Sequence, residues 1–336
     1  MYNIIRFFLF LFNPEIAHHI AMKSLRLANS LGILNLIQKK IYCKPKVLFG
    51  IKFVNPIGLA AGLDKNAEYI DCLSKLGFGF IEVGTVTPRP QPGNPKPRSF
   101  RLTKEKGIIN RFGFNNDGID KIIENIKKAK FKGVLGINIG KNFDTPIDQA
   151  VNDYLLCFRK SYLFASYIVL NVSSPNTKNL RKLQSGDNLN ELLMLIKDEQ
   201  KKLFNKHGKY VPFLLKISPD NSQAQLKIIS KLLIKYKIDG VIATNTSISR
   251  KEVANSSMRH ESGGLSGLPL KLSSLETLKI LKKLLNGKIP IIGVGGVMSA
   301  EDGKEKMDNG AELIQIYSGL IFKGHKLIHE LCRAIK

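Results

Sequence analysis

The sequence predicts an α/β protein, a closed (β/α)8 barrel of the TIM type preceded by a two-helix extension, on three observations. From Pro45 onward, short apolar runs alternate with longer amphipathic segments. Eight such runs over about 280 residues favour a closed barrel over a doubly wound sheet. The runs end in amides, hydroxyls, lysines or glycines, the residue types that gather where barrel strands finish. A chain of 336 residues with 43% apolar and 24% charged residues has ordinary globular composition and can bury a large core.

The extension comes first, with the barrel expected over residues 41–336. Within residues 1–40, Phe7 to Phe12 is intensely apolar but falls short of the roughly 20 residues a bilayer span needs. No small-residue cleavage site follows it, which argues against a signal peptide. Instead Asn13 and Pro14 open a helix as N-cap and first helical residue. Ile16, Ala17, Ile20, Ala21, Leu25, Ala28 and Leu31 then recur at helical spacing. Residues 1–50 carry seven Lys or Arg against one acid, Glu15. That pattern suits a helix pair lying in an anionic membrane surface, and equally a helical flap packed on its own barrel. His18 and His19 are expected at headgroup level or on the surface rather than on a metal.

The candidate strands are Ile57 to Ala60, Phe80 to Gly84, Leu135 to Ile139, Tyr167 to Val172, Phe213 to Ile217, Gly240 to Ala243, Pro290 to Val294 and Leu313 to Ile316. Helical periodicity fills Asp117 to Lys130, Leu189 to Phe204, Ala224 to Tyr236 and Ser273 to Leu285. Two connections are long. Pro88 to Gly118 holds five prolines before Asn110-Arg111-Phe112-Gly113-Phe114-Asn115-Asn116, and an insertion of that size is functional or locally folded. Ser247 to Gly267 contains Glu261-Ser262-Gly263-Gly264-Leu265-Ser266-Gly267, which reads as a flexible lid and ligand-contacting turn.

In order, the strand ends offer Gly62 and Lys65, Thr85, Asn138, Asn171, Lys216, Thr244 with Asn245 and Thr246, then Gly293, Gly295 and Gly296, and finally Tyr317 with Ser318. This rim has scarcely any acid. Asp64 is the one carboxylate expected near it, and beside Lys65 it can serve simply to cap a turn. Such a rim receives an electron-rich, anionic ligand. Gly293-Val294-Gly295-Gly296, Ser299 opening a helix, and Ser318-Gly319 outline a phosphate cradle, although tight turns also use such glycines. Lys65 and Lys216 suit stabilisation of charge developing on a substrate or cofactor, with a Schiff base on Lys216 as the rival chemistry. Ser174, in Asn171-Val172-Ser173-Ser174-Pro175-Asn176, has no neighbouring His and no G-x-S-x-G elbow, so a serine hydrolase is a poor reading. Its hydroxyl can act as a base only in a dry site with a cation and a proton relay. Asn110, Asn171, Asn176 and Asn245 supply donors and acceptors for a ring bearing imide groups.

The net charge of +25 invites a nucleic-acid partner, but only 11 of 52 basic residues are Arg and the lysines are spread over every segment. Without basic stripes, interleaved aromatics or zinc spacing, no nucleic acid is expected. Cys43, Cys72, Cys157 and Cys332 form no CxxC pair, so neither a metal site nor a redox dithiol is expected. Reduced thiols in the cytoplasm are the default.

Taken together, these motifs resemble the dihydroorotate dehydrogenases of the quinone-dependent, membrane-associated class, over essentially the whole chain. The resemblance rests on Gly58-Leu59-Ala60-Ala61-Gly62-Leu63-Asp64-Lys65, Asn110 to Asn116, Asn171 to Thr177 and Leu180-Arg181-Lys182-Leu183-Gln184. It continues in Ala243-Thr244-Asn245-Thr246, Gly263 to Gly267, Gly293 to Gly296 and Tyr317 to Phe322. It implies FMN at the barrel mouth, its phosphate on Gly267, Gly296 and Ser318. The rest of the cofactor would lie against Ala61, Gly62, Leu63, Asp64, Lys65, Thr85, Asn138, Asn171, Lys216, Thr244 and Tyr317. Dihydroorotate would be held by Lys65, Asn110, Arg111, Phe112, Gly113, Phe114, Asn171, Asn176, Asn245 and Thr246. The resemblance makes Ser174 the base for the C5 proton while hydride leaves C6, and sends the electrons on to a membrane quinone in pyrimidine biosynthesis. The soluble classes carry cysteine where Ser174 stands and lack the N-terminal helices, which here imply a peripheral protein on the cytoplasmic face of the cell membrane. Phe112 and Ser247 depart from the commoner methionine and threonine. Arg101 is expected to point toward the quinone tunnel or to form a plain salt bridge.

Overall fold

The computed structural model describes residues 2–37 and 43–335. The domain boundary expected at residues 40 and 41 lies outside the described residues, as do Met1, Lys39 and Lys40. Helices α1 (Tyr2–Phe10) and α2 (Pro14–Ser30) form where the apolar run and the Asn13-Pro14 signal predict them, and a short α3 (Ile33–Ile37) follows. Asn13 Oδ1 accepts the Glu15 N–H at 3.0 Å, closing the first turn of α2. One side of α1 is pinned to the body. The Tyr2 hydroxyl donates to the Leu320 and Ile321 carbonyls at 3.1 and 2.6 Å, Arg6 donates to the Phe322 carbonyl, and Phe10 meets the Phe322 ring edge-on at 5.6 Å. The other side leaves Ile4, Phe7 and Phe8 exposed, as are Leu11 just beyond it and Leu27 and Leu31 at the end of α2. The extension is therefore packed on the barrel and still presents an apolar face. Among the described residues no helix is long and apolar enough to cross a membrane.

Strands β1 (Lys46–Leu48) and β2 (Ile51–Phe53) pair as an antiparallel hairpin that the apolar runs did not announce. Then follow β3 (Ile57–Leu59), α4 (Ile70–Ser74), β4 (Phe80–Val86), β5 (Ser99–Leu102), β6 (Gly107–Asn110), α5 (Gly118–Lys128) and β7 (Val134–Ile139). The second half continues with α6 (Ala150–Ser161), β8 (Tyr167–Asn171), α7 (Gly186–His207), β9 (Phe213–Ile217), α8 (Gln223–Lys235), β10 (Gly240–Ala243) and β11 (Gly264–Gly267). It ends with α9 (Lys271–Leu285), β12 (Ile291–Val294), α10 (Ala300–Asp308), β13 (Ala311–Ile316), α11 (Ser318–Lys323) and α12 (Lys326–Ala334). The eight predicted strands are β3, β4, β7, β8, β9, β10, β12 and β13, hydrogen-bonded in that order into a closed parallel barrel.

Alternation along each strand sends one set of side chains outward to the helices and the other into the barrel. At the amino end the inner set is aromatic. Phe53 of the hairpin meets Phe80 edge-on at 5.2 Å, and Phe80 meets Tyr167 at 6.4 Å. Leu214, Ile242, Ile292 and Leu313 fill the space around them. Gly58 must lack a side chain there, because a Cβ would lie 2.2 Å from the Phe80 ring.

The long connections are not loose loops. Strands β5, β6 and β11 form a small antiparallel sheet over the mouth, with Gly264 opposite Asn110 and Gly267 opposite Gly107. Leu102, Ile109, Val253 and Leu265 give it a core of its own. The segment read as a flexible lid is thus, over Gly264–Gly267, a buried strand, because its partner comes from the other long insertion.

Candidate active site

At the carboxyl ends of the strands lies a cavity enclosing about 1010 Å³, part of it open to solvent. It is lined by Ala61, Gly62, Lys65, Thr85, Asn110, Phe112, Gly113, Phe114, Asn171, Ser174, Asn176, Lys216, Thr244, Asn245, Thr246, Gly267, Gly296, Tyr317 and Ser318, all expected from the sequence. Four expected residues are not on the wall. Leu63 packs into the outer core. Asp64 accepts the Glu68 and Tyr69 N–H groups at 2.9 and 2.8 Å, and burial pushes its carboxyl up to about 6. Its side chain caps the turn and does not line the cavity. Arg111 turns outward to Glu261 at 2.5 Å and covers the Phe100 ring at 4.4 Å. Asn138 sits one layer below the wall.

That lower layer contains the residue sequence reasoning missed. Glu82 of β4 is fully buried beneath the wall, while among the described residues the wall itself carries no acid, as the strand ends predict. Its Oε1 accepts from Asn138 Nδ2 at 2.7 Å and Lys216 Nζ at 3.4 Å; its Oε2 accepts from Gln315 Nε2 at 2.5 Å and Tyr167 OH at 3.4 Å. From Asn138 a chain of hydrogen bonds climbs the wall. Thr85 Oγ1 donates to Asn138 Oδ1 at 2.6 Å, Asn171 Nδ2 to Thr85 Oγ1 at 2.8 Å, and Asn245 Nδ2 to Asn171 Oδ1 at 3.0 Å. The only signal available in sequence was a carboxylate inside an otherwise apolar strand.

On the facing loop, Ser174 is buried and its Oγ accepts the Asn176 N–H at 3.3 Å. Arg181 fixes this loop, donating to the Ser173 and Thr246 carbonyls at 3.1 Å each while paired to Asp220 at 2.8 Å. Asn176 Nδ2 reaches Asn110 Oδ1 at 3.2 Å, tying the loop to the cap sheet. Lys65 Nζ lies 4.3 Å over the Phe112 ring. Burial above all, and then Arg98, pull the Lys65 ammonium down to about 8, with Glu15 and Asp64 opposing. The nearly buried ion pair of Arg98 with Glu15, at 2.9 Å, brings α2 to this wall.

Two N-terminal side chains can now be placed. His18 is half-buried; desolvation first, then Lys65 and His19, hold its imidazole down at about 3, so it is neutral. His19 is exposed. Among the described residues Arg101 makes no plain salt bridge: it donates to the Phe10 and Phe12 carbonyls at 3.0 and 3.4 Å and lies 4.1 Å over the Phe10 ring, sealing the end of α1.

The opposite end of the cavity is built for close approach to backbone. Gly267 and Gly296 have φ of 94° and 76°, and a Cβ on Gly296 would lie 2.3 Å from Lys271 Cα. Ser318 Oγ and Ser266 Oγ are 2.9 Å apart. Behind the glycines, Ser274 Oγ donates to the Gly295 carbonyl at 3.0 Å and takes a hydrogen bond from buried Lys306 at 2.9 Å. Burial lowers that ammonium to about 8, against the pull of Asp302 and Glu305. Ser299 caps α10 with a reciprocal capping box, as its position predicted. Among the described residues, Gln315 Oε1, Asn176 Oδ1 and Thr177 Oγ1 are buried without a partner, and no group of His, Cys, Asp and Glu is arranged for a metal.

The model of the dihydroorotate dehydrogenase family matches residues 45–336. A dihydroorotate dehydrogenase (quinone) of Methylobacillus flagellatus is 52% identical over 335 residues, covering 100% of this chain and 99% of that protein. One from Acinetobacter baylyi is 53% identical with the same coverage. The crystal structure of the Eimeria tenella enzyme with ferulenol aligns at a TM-score of 0.87 and 35% identity, covering 96% of this chain and 90% of that one.

Proposed function

This chain belongs to the family of dihydroorotate dehydrogenases, and from that premise we propose that it oxidises (S)-dihydroorotate to orotate in pyrimidine biosynthesis, with a quinone as terminal electron acceptor, FMN in the barrel mouth and Ser174 as base. The observation that carries the residue assignments is that Ser174, four wall asparagines and an anion cradle share one cavity. The donor set suits FMN. Gly267, Gly296 and Ser318 suit its phosphate. The unpartnered Gln315 Oε1 suits an imide N–H, and Lys216 an electron-rich ring edge. When bound, FMN supplies the hydride acceptor and the link to the quinone.

The protein's own part is positioning and proton transfer. Ala61, Gly62, Lys65, Thr85, Asn171, Thr244 and Tyr317 hold the cofactor. Lys65 and the amides of Asn110, Asn171, Asn176 and Asn245 hold the carboxylate and imide of dihydroorotate, with Phe112, Gly113, Phe114 and Thr246 closing around it. Ser174 Oγ takes the C5 proton, and the Asn176 N–H that it accepts stabilises the charge it carries as its own proton departs. The unpartnered Thr177 hydroxyl, three residues on, is a buried group able to hold a water on that proton's way out.

Residues 1–40 form an extension that lies on the cytoplasmic face of the cell membrane, with the catalytic barrel over residues 41–336. The exposed apolar face of α1 and α2 supports this, and the half-buried neutral His18 suits a quinone headgroup entering between helix and barrel. Turnover of dihydroorotate with ubiquinone, fumarate and NAD⁺ as separate acceptors tests the assignment. Quinone should support turnover far above the other two; fumarate or NAD⁺ turnover equal to that with quinone would refute it.

A further inference from the structure

Glu82 has no counterpart in the proposed chemistry, yet it is the most heavily hydrogen-bonded side chain beneath the cavity. A carboxylate buried in a barrel interior is costly unless every lone pair is met. Here each oxygen meets two donors, Asn138 and Lys216 on one, Gln315 and Tyr167 on the other. All four neighbours are oriented as donors, so Glu82 accepts at every contact. Because Glu82 can only accept, Asn138 must turn its NH₂ downward and its oxygen up to Thr85. Thr85 must then donate downward and accept from Asn171, and Asn171 must present its oxygen to Asn245. One buried charge thereby dictates the direction of every hydrogen bond up to the substrate wall. The same charge opposes that of Lys216, whose Nζ lies 3.4 Å away and whose side chain lines the cavity.

We propose that Glu82 is a positioning residue which orients the Asn138–Thr85–Asn171–Asn245 chain and offsets the Lys216 charge, and so holds down the reduction potential of the bound flavin. The proposal rests on the FMN reading. Reduction adds electron density to the cofactor, so an uncompensated ammonium beside it favours the reduced form. Removing the Glu82 charge should therefore raise the potential, whereas a residue that only fills space would leave it in place.

The experiment is a dye-coupled redox titration of purified holoenzyme, wild type beside E82Q and E82D. First, cofactor released from wild type by heating is identified; absence of FMN would refute the FMN reading and leave the Glu82–Lys216 pairing to the melting test below. E82Q should shift the ratio of reduced to oxidised flavin upward by at least tenfold at a fixed potential, which is about 30 mV for a two-electron couple. E82D, which keeps the charge, should stay within threefold of wild type. An E82Q potential equal to or below wild type would overturn the proposal, as would E82D shifting as far as E82Q. Should E82Q not fold, thermal melts of K216M and of E82Q/K216M decide. The double variant buries no unpaired carboxylate and should melt above K216M; an equal or lower melting temperature would overturn the pairing.

Discussion

The two ends of the barrel are made by the same eight strands, and they are chemically opposite. The amino end is closed by Phe53, Phe80 and Tyr167 in edge-on contact, and contributes packing. Two residues further along β4 the inward position is Glu82, one layer below a mouth whose amides, hydroxyls, two lysines and glycines are set among apolar side chains such as Phe112 and Met298. On β4 the packed floor and the polar layer are thus separated by a single pleat. Mutations at the floor should change folding and leave chemistry alone, and mutations at the mouth should do the reverse.

The largest expected effect is at the floor. Phe80→Ala should cost about 3–5 kcal/mol of stability in urea denaturation, while the folded fraction still reduces its flavin near the normal rate. Loss of flavin reduction in well-folded Phe80→Ala would break the separation. At the mouth, Ser174→Ala should slow flavin reduction by about 10²-fold or more, some 2.7 kcal/mol in the barrier, with an unchanged melting temperature. Near-normal reduction would remove Ser174 as the base.

A third region sharpens the comparison, since α1 is packed on one side and bare on the other. Replacing exposed Phe7, Phe8 and Leu11 by serine should weaken binding to anionic vesicles by about tenfold or more, on the order of 1.4 kcal/mol or above, and leave flavin reduction intact. Unchanged vesicle sedimentation would make these helices purely structural. The smallest effect concerns pH. Lys65 is lowered from 10.5 to about 8, so in the proposed role it should hold the substrate anion below that pH and release it above. KM for dihydroorotate should rise by up to about tenfold per pH unit above the midpoint. Glu15→Gln removes a carboxylate that raises this ammonium and should move the rise to lower pH; a midpoint unmoved by that change would exclude the coupling. For stability the sign is opposite. Between about 8 and 10.5 the unfolded chain binds the Lys65 proton more tightly than the folded one, so this group favours folding increasingly as pH rises through that window.

What was legible in the sequence follows from the range of the interactions. Strands such as Phe213–Ile217 and Gly240–Ala243 match their apolar runs residue for residue, because a strand buried on both faces is a local signal. Strand ends exposed the mouth residues for the same reason. The cap sheet was hidden because Gly264–Gly267 finds its partner in Gly107–Asn110, far away in the chain, and glycines there imitate a loop. The hairpin before the barrel was hidden because its strands, Lys46–Leu48 and Ile51–Phe53, are too short to show alternation. Glu82 gives no local signal of its role, because its meaning depends on donors from four other strands. Asp64 and Arg111 stand within family motifs, yet one caps a turn and the other faces outward, so a motif locates a wall without saying which side chains face it.

The central claim, that this mouth binds a flavin and passes it hydride from dihydroorotate, is tested most directly by anaerobic titration of the purified protein followed in the visible spectrum. The purified protein should be yellow, with flavin absorbance that bleaches on adding dihydroorotate and returns on adding quinone. A colourless protein that cannot be reconstituted with FMN, or a flavin that dihydroorotate leaves oxidised, would contradict it.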